Sequence, residues 1–178
     1  MEPLVKENML LISAITENNI AKVRELIPLC DIQAYHNEAL HTAIRYRRME
    51  CIKVLLAAVT PPLKDNNLLV SAASNGDLAM VRLFLPVTDP KDQNSKALQV
   101  CAMHCCANPI YKPIVDFLFE VSDPEIALTE IQRQRPCEPL RWAYLEERVV
   151  QKRLRATLSA TAEDVAADRQ PLLRMKRL

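Results

Sequence analysis

A 29-residue period constrains this chain more than any other feature of its sequence. Ala14, Ala43 and Ala72 stand 29 residues apart, as do Val23, Ile52 and Val81, and Leu26, Leu55 and Phe84. A fourth copy begins on schedule, with Cys101 in the slot of the three alanines. Its second apolar run, from Ile114 to Phe119, arrives five residues late, which places an insertion between Ala107 and Lys112. Each copy reads as two short helices. The first carries apolar residues at helical spacing around a small residue, as in Leu10, Leu11, Ala14 and Ile15. The second presents a Val or Ile and, three residues on, a Leu or Phe, both on one face. Polar turns separate the two helices at Asn18–Asn19, Arg47–Arg48 and 75–77. Pro28, Pro61–Pro62 and Pro86 mark where second helices end. Neither helix of a pair can hide its apolar face alone, so successive pairs must share one core.

The motifs resemble the ankyrin repeat. That family's first helix opens Thr-Pro-Leu-His-x-Ala, and Leu40, His41 and Ala43 keep three of those residues. The run from Ser74 to Leu85 is similar to the family's turn and second helix. The resemblance covers residues 8–122 and implies an all-α ankyrin-type helical solenoid of about four short repeats, near 8–36, 37–65, 66–94 and 95–122. No copy has the Thr-Pro start, and the period is four short of the family's 33. The shortfall falls between repeats, so stubby fingers or plain loops are expected in place of β-hairpins. Residues 123–168 read as a divergent fifth unit or helical cap. Within it, Glu138 to Ala143 resembles a fifth first-helix start, and Leu145, Val149, Leu154 and Leu158 read as one apolar face. Thr161 to Asp164 reads as the cap of a last helix ending before Pro171, and 169–178 as a flexible basic tail.

Composition narrows the function. The 178 residues carry a net charge of +1, so no global field steers the chain to nucleic acid. The one glycine, Gly76, is too few for phosphate-cradling loops. No uncharged apolar run spans a bilayer, and the start lacks the pattern of a secretory signal, so stable membrane insertion is not expected. The six cysteines read as reduced thiols of a cytoplasmic protein, bacterial or delivered into a host cell by a dedicated export system.

The resemblance implies a module that binds a protein partner on a concave face, with Asn18, Asn19, Arg45, Tyr46, Arg47, Arg48, Ser74, Asn75 and Asp77 as contacts. It also implies an effector or adaptor, with an inhibitory, immunity-type partner of a toxin or enzyme as the alternative. No catalytic residue, metal or cofactor is assigned, and a homo-oligomer is not indicated. His41 sits in the family's structural histidine slot. Arg47 fills the slot of Asn18 and Gly76, where a helix end favours a left-handed residue, and an Arg there costs about 1 kcal/mol. Its retention at an exposed turn points to binding. A rival reading is a small cysteine-dependent enzyme, because Cys101, His104 and Cys105 share a helix face by spacing beside Cys106. Arg148, Lys152, Arg153 and Arg155 give the late helix a basic side, suited to solubility or to an acidic partner or surface.

Overall fold

The structure is a computed structural model that describes residues 3–59, 63 and 67–175; side chains are described for 6–59, 63 and 67–161. Among the described residues it is all-helical, with no strand. Ten α-helices follow in chain order: α1 (Pro3–Thr16), α2 (Ile20–Leu26), α3 (Ala34–Arg45), α4 (Met49–Ala58), α5 (Asn67–Ser74), α6 (Leu78–Phe84), α7 (Asp92–Cys105), α8 (Lys112–Val121), α9 (Pro124–Gln134) and α10 (Ala143–Met175). Helices pack within pairs, α1 on α2, α3 on α4, α5 on α6 and α7 on α8. First helices also pack on the next first helix, α1 on α3, α3 on α5, α5 on α7 and α7 on α9.

The period explains this succession. Ala14, Ala43, Ala72 and Cys101 are fully buried in one hydrophobic core. A small side chain at that slot lets neighbouring first helices approach closely, while Val23, Ile52, Val81, Leu55 and Phe84 fill the space from the second helices. The insertion between α7 and α8 is a 3₁₀ turn, Pro109–Tyr111, where the spacing places it.

The connection between units is where the shortened period shows. After α2, a 3₁₀ turn (Ile27–Leu29) and extended Cys30 lead to Asp31, whose carboxylate accepts from the Gln33 amide at 3.0 Å. Tyr35, His36 and Asn37 then make one left-handed turn, with φ of 52°, 56° and 59°, so right-handed helix begins at Glu38. The same sequence of conformations recurs 58 residues on. There the 3₁₀ turn is Leu85–Val87, Asp89 accepts from the Lys91 amide at 2.9 Å, and Gln93, Asn94 and Ser95 have φ of 50°, 58° and 60°. This compact turn occupies the stretch between repeats expected to hold a stubby finger or plain loop. Each left-handed residue costs about 1–2 kcal/mol, offset by local bonds such as Ala34 N–H to the Asp31 carbonyl at 3.1 Å. Ser95 also accepts from the Asp123 amide at 2.9 Å, and Lys91 pairs with Asp123 at 3.4 Å, tying the third connection to the fourth.

The C-terminal third corrects the sequence reading. The fifth first helix is α9, not the segment at Glu138, which instead forms a 3₁₀ turn (Pro139–Arg141) before α10. Pro124 supplies the fixed φ of a first helical position, and Ala127, Leu128 and Ile131 bury one face. On α10, Leu145 and Val149 are buried, but Leu154 and Leu158 are about 60% exposed. At 100° per residue, Val150, Leu154 and Leu158 form a second stripe that faces away from the core. The helix runs on through Thr161 to Asp164 without a fresh start, and residues 169–175 are helical. Residues 176–178 and the Pro61–Pro62 stop lie outside the described residues. No described helix is long and apolar enough to cross a membrane.

Candidate functional site

The first helices α1 and α3 are closed by the same two bonds, and α5 shares one of them. Asn19 N–H reaches the Ala14 carbonyl at 2.9 Å and Arg48 N–H the Ala43 carbonyl at 2.8 Å. One residue earlier, Asn18, Arg47 and Gly76 donate to Ile15, Ile44 and Ala73. A helix end of this kind favours a left-handed residue, and Asn18, Arg47 and Gly76 have φ of 58°, 54° and 69°. The left-handed Arg47 expected from its slot is therefore observed.

Side chains from neighbouring units then cap the exposed carbonyls. Arg48 Nη2 donates to the Thr16 carbonyl of the preceding unit at 2.8 Å. Asn75 Nδ2 donates to Ile44 at 3.0 Å, and Arg47 Nη2 returns to Asn75 at 2.7 Å. The Tyr111 hydroxyl, carried by the insertion, donates to Ser74 at 2.7 Å. A cation at a helix C-terminus also meets the negative end of the macrodipole. The turns thus form a ladder joining units one to four. This supplies a structural reason for retaining Arg47 that the sequence alone did not show.

The nine anticipated contact residues separate into two groups. Asn18 accepts from the Cys51 thiol at 3.9 Å, Asn19 caps α2 by accepting from Lys22 N–H at 3.1 Å, and Asp77 caps α6 by accepting from Ala79 and Met80. With Arg47, Arg48 and Asn75, their polar groups serve the frame. Arg45, Tyr46 and Ser74 remain exposed to solvent, although the Ser74 hydroxyl donates to the Val70 carbonyl of its own helix at 2.8 Å. Arg45 meets Glu38 only at 3.8 Å.

Arg45, Ser74 and Asn75 meet along a groove of about 290 Å³ between α3 and α5, lined also by His41, Ile44, Val70 and Ser71. His41 Nδ1 lies 3.5 Å from Ser71 Oγ, a contact between adjacent units that fits its structural reading. Of the groove residues on α5, Val70 and Ser71 were not singled out from sequence. Their signal was register, since Val70 stands 29 residues after His41.

The thiol–imidazole constellation comes apart in three dimensions. Cys101 and Cys105 are buried, whereas His104 is exposed and rests against the Tyr111 ring. Burial, with a smaller contribution from the Cys105 thiol, pushes Cys101 up to about 12. Burial also raises Cys105 to about 11. Neither supplies a thiolate near neutrality.

These thiols carry a pH prediction. The unfolded Cys101 thiol ionises near 9.0, while the fold holds it protonated toward 12. Above pH 9 the folded chain therefore binds the extra proton, and stability falls as pH rises from 9.0 toward 12. Cys101→Ala restores the residue of the other units. It should cost about 1 kcal/mol at neutral pH by losing the bond that the Cys101 thiol donates to the Ala73 carbonyl at 3.6 Å, yet be the more stable protein by about pH 10.5, where the linked loss of wild-type stability reaches about 2 kcal/mol. Urea unfolding midpoints at the two pH values report the crossover, and a wild-type lead at both would contradict it.

The basic side of α10 is largely engaged. Arg148 pairs with Asp116 at 3.0 Å and lies over Phe119, Lys152 shares that ring, and Arg153 pairs with Glu125 at 3.0 Å. Tyr144 donates to Asp116 at 2.9 Å. These bonds seat the start of α10 on α8 and α9. Arg155 is exposed.

Fold and groove together define an all-helical protein of successive helix pairs with a polar cleft between two first helices. The chain matches no known family, no curated protein and no solved structure.

Proposed function

We propose that this protein is an ankyrin-type interaction module that binds a protein partner across the exposed face of its first helices, centred on the groove between α3 and α5. One observation supports the reading: Arg45 and Ser74 line that groove and, with Tyr46 next to Arg45 in the chain, stay exposed on a face whose turns are tied into the frame. Groups held on a rigid scaffold bind with little ordering cost. An adaptor or effector acting in the cytoplasm, its own or that of a host cell, is the role such a module serves.

The test is capture of partner from a lysate of the source cells by wild type and by an Arg45→Ala, Tyr46→Ala, Ser74→Ala triple variant. Loss of a specifically captured protein, with the melting temperature within about 2 °C of wild type, is the expected outcome. Equal capture by both would remove this face from the function.

A further inference from the structure

We propose that the groove between α3 and α5 takes an acidic side chain of an extended partner segment, with its carboxylate bound by Arg45. The inference rests on the interaction reading above and specifies the chemistry of the partner. Among the described residues, Arg45 is the one arginine or lysine lining the groove, and no aspartate or glutamate lines it. Its nearest carboxylate, Glu38, is 3.8 Å away, with the two side chains 66% and 41% exposed. Ion pairs in that setting contribute little and yield readily to a better-placed acid.

The ends of α3 and α5 would ordinarily oppose an anion, because helix C-termini carry partial negative charge. Here the carbonyls of Ile44, Ser74 and Asn75 already accept bonds from Asn75, Tyr111 and Arg47. The last of these adds a second guanidinium at the groove's end. Ile44 and Val70 offer aliphatic walls to the methylenes of a glutamate, and a carboxylate can meet the Arg45 fork with two parallel bonds. At about 290 Å³ the groove admits a side chain with part of its backbone.

The experiment titrates the ¹⁵N-labelled full chain with octaglutamate, and separately with octalysine, following amide shifts. Saturable shifts centred on residues 41–45 and 70–75 with octaglutamate, absent with octalysine, are expected. Arg45→Glu, its spectrum otherwise native, should weaken octaglutamate at least ten-fold. Shifts centred instead on Lys152 and Arg155, equal responses to both peptides, or unchanged affinity in Arg45→Glu would each overturn the proposal. Should octaglutamate fail while the Arg45, Tyr46, Ser74 variant still loses its captured partner, only the acidic specificity falls. Should that variant capture normally, the broader reading falls with it.

Discussion

Phe84→Ala should lower the unfolding free energy by about 3–5 kcal/mol, enough to leave a protein of ordinary stability partly unfolded at 37 °C. Phe84 is fully buried on α6, which packs against α5 and α8. It occupies the slot that Leu26 and Leu55 fill in the first two units. Truncation removes a large apolar side chain and leaves a cavity that backbones fixed by neighbours on both sides cannot collapse. Phe84→Leu supplies the residue of the other units and should cost clearly less. Chemical denaturation at neutral pH measures both, and similar small losses would mean that the third unit is not held between its neighbours.

The second large effect belongs to the turns. Replacing Arg47 and Arg48 together with alanine should cost about 2–4 kcal/mol, since two hydrogen bonds from guanidinium groups to helix-end carbonyls disappear. Alanine also keeps the left-handed strain at position 47. Arg47→Gly relieves that strain while losing the bond to Asn75, so its net change should be near zero. A double variant as stable as wild type would show that the ladder of caps contributes nothing. Partner capture by such variants is informative only after their stability is known, which is why Arg45, Tyr46 and Ser74 are the residues that test binding.

What was legible in the sequence followed from exact repetition. The small slot at Ala14, Ala43, Ala72 and Cys101, the left-handed position of Arg47 and the insertion before Lys112 each came from counting 29 residues. Features without a residue signature were not legible. Nothing about Tyr35 or His36 announces a left-handed turn, because neither is the glycine or asparagine such a turn favours, and the bonds accepted by Asp31 and by the Gln33 carbonyl help hold it. The caps of Arg48 on Thr16 and Arg47 on Asn75 join residues 32 and 28 apart, so they exist only once the helices are stacked. On α10 the spacing of Leu145, Val149, Leu154 and Leu158 joined two stripes that helix geometry sets on opposite sides. At Glu138 a likeness of composition outweighed the plainer signal of Pro124 followed by Ala127, Leu128 and Ile131.

The central claim is that residues recurring every 29 positions lie in one interior shared by successive helix pairs. Ala72→Leu tests it most directly, because Ala72 is fully buried while Ala160 on α10 is exposed and serves as control. Overpacking at a closed interface costs about 1–3 kcal/mol, and the same change on an exposed helix surface costs less than about 0.5 kcal/mol. Urea unfolding of the two variants should therefore show a clear loss for Ala72→Leu and none for Ala160→Leu. Equal stability of both would contradict the shared interior.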